Sequence, residues 1–99
     1  MARQPMDGEA VQAAFASLED WSLGENGRSL TRVFRFKTFS AAWAFMSRAA
    51  LLAEKLDHHP DWSNSYNTVS VSLSTHDAGG LTTLDFRMAE AMGRYFQAA

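Results

Sequence analysis

The amino-acid sequence predicts an α+β domain with the order αββαββα, in which three helices pack on one face of a four-stranded antiparallel sheet. In three segments apolar residues recur at helical spacing, and in the intervening segments they tend to alternate with polar residues. The alternating segments lie in pairs separated by short turn sequences. This arrangement favours hairpins, and therefore antiparallel pairing with helices on one face.

The composition limits what the chain can be. Its 99 residues can hold one hydrophobic core, so residues 1–99 are expected to form a single domain. Apolar residues make up 46% of the sequence, which is enough to build that core and argues against disorder. A domain of this size is marginally stable alone, so self-association is expected.

The charges argue against direct binding of nucleic acid, because the formal charge is −2 and the arginines are scattered from Arg3 to Arg94. The absence of cysteine removes disulfides, a thiolate nucleophile and cysteine metal sites, and it fits a reducing compartment. The first ten residues lack the apolar core of a signal peptide, and no apolar run is long enough to span a membrane. We therefore expect a cytoplasmic protein with no membrane partner.

A helix and a hairpin are predicted first. The helix runs from about Gly8 to Glu19 behind Asp7 as its N-cap. A strand starts at Trp21 to Leu23, Glu25 to Gly27 turns the chain, and a second strand covers Leu30 to Lys37. One face of this second strand is expected to hold Leu30, Arg32, Phe34 and Phe36.

The second helix has the clearest start signal. Ser40 is the expected N-cap, with Phe39 packing on Ala44 as a hydrophobic staple, and the helix should reach about Leu56 before Pro60 stops it. Its apolar stripe is expected to comprise Ala42, Phe45, Met46, Ala49, Leu52, Ala53 and Leu56.

The remaining chain predicts a second hairpin and a last helix. Between Asp61 and Thr75 apolar and polar residues alternate again, with Val69, Val71 and Leu73 on the buried face of a strand. Two glycines break the pattern, and a helix follows to about Phe96. Thr82 or Thr83 is its cap, and Thr82 with Asp85 has the spacing of a capping box.

All three histidines lie close to the second hairpin. If Tyr66 and Asn67 form its two-residue turn, residues whose numbers sum to 133 face each other. In such a ladder His58 lies opposite Thr75, His59 opposite Ser74, and Asp57 opposite His76. Three imidazoles, which can exchange protons near neutral pH, would then converge with a carboxylate.

The same pattern has less specific interpretations. An ideal ladder points His58 away from Asp57, His59 and His76, although Pro60 makes a regular ladder doubtful there. His58 or His59 could instead interact with the last carbonyls of a helix, and His76 could be an ordinary loop residue. A metal site is another alternative, which the diverging side chains of adjacent strand histidines disfavour.

Several motifs together resemble the pterin-4a-carbinolamine dehydratase family, whose animal member is also the dimerisation cofactor of a hepatocyte nuclear factor. The resemblance covers most of the chain from Trp21 to Ala89. Its most specific elements are the run EKLDHHP at Glu54 to Pro60 and the run STHD at Ser74 to Asp77. Further matches are the Phe-rich second strand and the residues Trp21, Phe39, Phe45, Met46, Arg48, Asp61, Trp62, Tyr66, Asn67, Val69, Leu73, Gly80, Leu81 and Asp85.

The resemblance implies the same fold, assembled as homodimers or homotetramers. It also implies dehydration of 4a-hydroxytetrahydrobiopterin to the quinonoid dihydropterin, without metal or organic cofactor. This lyase reaction recycles tetrahydrobiopterin after aromatic amino-acid hydroxylation, so a hydroxylase is an expected pathway partner. The alternative is a protein-interaction module, a transcriptional coactivator or dimerisation cofactor, that uses the exposed face of the second helix from Ala41 to Ala53.

The resemblance also implies which residues form the site. His58, His59 and His76 are the expected catalytic residues, with His58 and His76 as the acid–base pair and His59 chiefly binding. Glu54, Trp62 and Asp85 match positions near the family's site, and Asp57 or Glu54 is expected to hold an imidazole in one tautomer. The residues expected to bind the pterin are Asp57, His58, His59, Ser74, Thr75, His76 and Asp77.

Overall fold

A computed structural model describes residues 3–99 and confirms the α+β class and the order αββαββα. Met1 and Ala2, which belong to the predicted domain, lie outside the described residues. The helices are α1 (Gly8–Ala16), α2 (Phe39–Leu56) and α3 (Thr83–Ala98). The strands are β1 (Ser22–Leu23), β2 (Leu30–Arg35), β3 (Asp61–Ser65) and β4 (Thr68–Leu73), and a 3₁₀ turn covers His76–Ala78.

The four strands form one antiparallel sheet in the order β1-β2-β4-β3, with the long strands β2 and β4 at its centre. Leu30 and Phe34 of β2 and Val69 and Leu73 of β4 are fully buried. The predicted apolar stripe of α2 packs against these residues, and so do the buried residues of α3. The buried members of the stripe are Ala42, Phe45, Ala49 and Ala53. The apolar faces of the strands and of the helices therefore form one core.

Arg32 occupies a core-facing position of β2, as its place in the alternation predicts, but it is only partly buried. Its guanidinium lies 4.4 Å from the centre of the Phe34 ring and 3.7 Å from the Asp20 carboxylate at the sheet margin. Partial burial lowers the pKa of Arg32, and the charges of Asp20 and Glu19 oppose that shift. The long side chain thus covers aromatic surface while its charge reaches a partner.

Several element boundaries differ from the prediction. Helix α1 ends at Ala16, where Ser17 N–H bonds back to the Ala14 carbonyl in a tight last turn, and β2 ends at Arg35. The N-cap of α2 is Thr38 and not Ser40, because Thr38 has an extended backbone and its Oγ1 accepts from the Ala41 N–H at 3.0 Å. Helix α3 continues past Phe96 to Ala98.

The predicted staple at the start of α2 is wrong for the same reason. Because the helix begins at Phe39, this residue is its first helical position and does not precede the cap. The Phe39 ring is 46% exposed and stacks on Trp43, with 6.2 Å between the ring centres.

The second hairpin confirms the predicted turn and register. Tyr66 and Asn67 join the strands, Tyr66 has a φ of 51°, and the pairs run from Ser65 opposite Thr68 to Asp61 opposite Ser72. The ladder stops at Asp61, the first residue after Pro60. The predicted pairs of Asp57, His58 and His59 with residues 74–76 are therefore not strand pairs.

Within the described part of the chain, no helix has both the length and the apolar character needed to cross a membrane.

Candidate functional site

The end of α2 sets the direction of His58 and His59. Asp57 caps the helix in the left-handed conformation, with φ 50° and ψ 45°, which aspartate tolerates better than most residues. The N–H of His58 then bonds to the Ala53 carbonyl at 3.0 Å and closes the helix. This turn separates the two histidines, so that one enters the protein interior and the other stays at the surface.

The end of β4 supplies the opposite wall. Ser74 and Thr75 continue from the strand into the 3₁₀ turn that begins at His76. An isolated antiparallel bridge between Thr75 and Gly80 closes this loop, with Gly79 at a φ of 73°. The small loop therefore holds His76 and Asp77 beside the residues that follow α2.

These two walls border one open cavity of about 260 Å³ at the surface, which we call the histidine cavity. The predicted convergence of the three histidines is confirmed, although loop geometry and not the extended ladder produces it. The cavity is lined by Arg3, Asp57, His58, His59, Ser74, Thr75, His76 and Asp77.

His58 belongs to a buried hydrogen-bond network. Its side chain is 4% exposed, and its Nε2 lies 2.6 Å from Oδ1 of Asp85, which is fully buried. Oδ2 of Asp85 accepts from Thr75 Oγ1 at 2.8 Å and from the Thr82 N–H at 2.9 Å. Three hydrogen-bond donors thus satisfy this buried carboxylate.

Asp85 therefore does more than the predicted capping box requires. The box is present at the start of α3, where the Thr82 side chain and the Asp85 side chain bond each other's backbone N–H groups. The same carboxylate orients His58 from across the core. A carboxylate in this position can accept a hydrogen bond from a protonated Nε2, and the contact holds the imidazole in one orientation.

His59 and His76 face carboxylates at the surface. Nε2 of His59 is hydrogen-bonded to Oε2 of Glu54, one turn back on α2, and both side chains are more than half exposed. Nε2 of His76 lies 3.5 Å from Oδ2 of Asp61, and the His76 side chain is 85% exposed. Each histidine of the cavity therefore faces a different carboxylate, and the three differ mainly in burial.

The expected role of Asp57 as a partner of an imidazole is not what the structure shows. Its side chain is 94% exposed and lies 3.8 Å from the guanidinium of Arg3. The alternative that Glu54 holds an imidazole agrees with its contact with His59. Trp62 is partly buried against the core and is not among the residues that line the histidine cavity.

Three contributors to the site were not predicted from the sequence. Arg3 carried no local signal, since 54 residues separate it from Asp57. Asp61 was detectable, because the hairpin rule places it opposite Ser72, close to where His76 emerges. Thr82 was recognised only as a helix cap, and its hydroxyl also lies 2.9 Å from that of Thr75.

The described residues, 3–99, contain no group of three or more His, Asp or Glu side chains arranged to hold a metal ion. His58 is directed into the interior toward Asp85, whereas His59 is directed along the surface toward Glu54. The donor set therefore suits proton transfer better than it suits metal coordination.

Comparison with known proteins assigns the chain to a family. Residues 4–95 match the family model described as pterin 4 alpha carbinolamine dehydratase. A relative from Mesorhizobium japonicum that carries the name pterin-4-alpha-carbinolamine dehydratase is 56% identical over 96 residues, covering 97% of this chain and 98% of its own. A relative of the same name from a Chelativorans species is 50% identical over 95 residues, covering 96% and 97%.

A solved structure gives the same result in three dimensions. The crystal structure of a transcriptional coactivator/pterin dehydratase from Brucella melitensis matches with a TM-score of 0.88 and 43% identity, covering 93% of this chain and 98% of its own. Family model, sequences and fold agree over nearly the whole chain. The chain belongs to the pterin-4-alpha-carbinolamine dehydratase family.

Proposed function

We propose that this protein dehydrates 4a-hydroxytetrahydrobiopterin to the quinonoid dihydropterin and water by histidine acid–base catalysis. The observation that carries the proposal is the histidine cavity, in which His58, His59 and His76 meet and each faces its own carboxylate. Family membership supplies the class of substrate.

The reaction needs two proton transfers. One proton must reach the 4a-hydroxyl group so that the C4a–O bond breaks and water leaves, and another must leave N5 as the C4a–N5 double bond forms. A charged and a neutral imidazole can perform these transfers, and such groups typically contribute about a hundred- to ten-thousandfold each. No external oxidant or reductant is required.

The residues of the cavity suit these tasks unequally. His58 is oriented by a buried, fully bonded carboxylate, and His76 lies on the opposite wall, so we assign these two as the acid–base pair. His59 and the remaining lining residues, Asp57, Ser74, Thr75 and Asp77, would bind and orient the flat pterin ring. Glu54 and Asp85 would act through the histidines that they contact.

The direct test is turnover by the purified protein. Freshly made 4a-hydroxytetrahydropterin should lose water faster with the protein than in buffer alone, and the rate should rise in proportion to protein concentration. A rate equal to that of buffer would reject the proposal. A reaction of this kind would serve the recycling of tetrahydrobiopterin beside an aromatic amino-acid hydroxylase, in the cytoplasm.

Self-association is a second part of the proposal. On the side of α2 that faces away from the core, Phe39, Trp43 and Leu51 are 46%, 56% and 73% exposed. Buried aromatic and aliphatic residues stabilise interfaces, and the sheet also has an edge strand on each side, β1 and β3. We propose that these surfaces form a homodimer or homotetramer. Docking of a different protein on α2, as a transcriptional coactivator would require, is the alternative.

A further inference from the structure

The segment before α1 is fastened across the loop that connects the histidine cavity to α3. The N–H of Met6 donates to the Leu81 carbonyl at 2.9 Å, and the Met6 side chain packs against the core. Asp7 then caps α1 by accepting from the Ala10 N–H at 2.8 Å. Two anchors therefore fix the path of the chain from Met6 to the first helix.

This path places Arg3 in the wall of the histidine cavity. Its guanidinium donates to the backbone carbonyl of Asp57 and lies 3.8 Å from the Asp57 carboxylate. The Arg3 side chain is 26% exposed, whereas its partner carboxylate is 94% exposed. Arg3 is also the one permanently cationic residue among those that line the cavity within the described chain.

We propose that Arg3 is a substrate-positioning residue of this cavity. Its contacts with Asp57 anchor the guanidinium at the cavity wall, and its remaining N–H groups donate to an oxygen acceptor of the bound pterin. A guanidinium has five donors in a fixed plane, and the contacts with Asp57 use only part of them. The inference rests on the proposed function. The family match begins at residue 4, so it carries no role for Arg3.

The test compares Arg3→Ala, Arg3→Lys and the control Arg35→Ala. Arg35 is exposed at the far end of β2, opposite Thr68, so its replacement removes the same charge away from the cavity. Arg3→Ala should raise KM about tenfold, the loss expected for one charged hydrogen bond, with kcat changed less than about twofold. Arg3→Lys should recover only part of the loss because it keeps the charge without the planar fork. Circular dichroism melting should show wild-type folding in all three variants.

The outcomes separate this inference from the proposed function. If the wild type turns over and Arg3→Ala matches Arg35→Ala, Arg3 has no positioning role. A fall in kcat at constant KM would also overturn the inference. If the wild type does not turn over, fluorescence titration with biopterin decides: binding weakened about tenfold in Arg3→Ala supports the role of Arg3 although the reaction is wrong. Absence of biopterin binding by the wild type rejects both.

Discussion

Nε2 of His58 lies 2.6 Å from Oδ1 of Asp85, and both side chains are buried although 27 residues separate them in sequence. The contact joins the end of α2 to the first turn of α3. It makes the orientation of one histidine depend on the packing of two helices, whereas His59 and His76 remain at the surface. The predictions below follow from this difference.

Replacing Asp85 should affect stability and turnover together. Asp85→Ala removes a capping-box carboxylate and leaves His58, Thr75 and the Thr82 N–H without their shared acceptor, so the free energy of unfolding should fall by about 2–4 kcal/mol. Urea denaturation measures this loss. Asp77→Ala, an exposed carboxylate at the same cavity, is the matched control and should change the midpoint little. An Asp85→Ala midpoint equal to that of the wild type would contradict the importance of the network.

His58 and His76 should differ in how their loss affects folding. Both His58→Ala and His76→Ala should lower kcat by about a hundredfold or more if the two residues form the acid–base pair. Only His58→Ala should also destabilise the fold, because it leaves the buried Asp85 charge without one donor. His58→Gln restores a donor without proton transfer, so it should regain stability and stay inactive. Full activity of both alanine variants would end the acid–base proposal.

His59 should behave as a binding residue. Its imidazole faces Glu54 at the surface, and its removal breaks only an exposed pair that adds little to stability. His59→Ala should therefore raise KM more than it lowers kcat, with an unchanged melting temperature. Steady-state measurements of KM and kcat for His59→Ala and His76→Ala, made side by side, test this prediction. A His59→Ala variant that loses kcat as completely as His76→Ala would move His59 into the acid–base pair.

Turnover should not need a metal ion. The reason lies in the side chains that could bind a metal: His58 and His59 point to different carboxylates, and the chain has no cysteine. Elemental analysis of active protein should show no stoichiometric zinc, iron or copper, and a chelator should leave kcat unchanged. Loss of activity with chelator, restored by one added metal, would reject this prediction.

The exposed face of α2 should hold copies of the chain together. Light scattering at micromolar concentration should give a mass that is a multiple of the 11.0 kDa chain. Trp43→Glu or Leu51→Glu places a charge on this face and should lower that mass, whereas Arg87→Glu, exposed on α3, is the control. A wild-type mass of one chain would reject self-association and favour the interaction-module alternative.

The sequence by itself determined the element order, the core faces and the register of the second hairpin. These properties depend on residues close in sequence: the period of apolar positions, the cap before each helix and the residues of each turn. The boundaries were less certain, as Thr38 in place of Ser40 shows, because neighbouring residues can both cap a helix and only the backbone geometry selects one.

Only the tertiary structure decided which partner each histidine has. The hairpin rule brought residues 57–59 near residues 74–76, but the ladder ends at Asp61, so loop conformations set the directions of the side chains. The burial of His58 against Asp85 also makes this histidine part of the folded interior. His58 with Asp85 and Arg3 with Asp57 are 27 and 54 residues apart. Contacts at such separations depend on how helices and loops pack, which no local periodicity encodes.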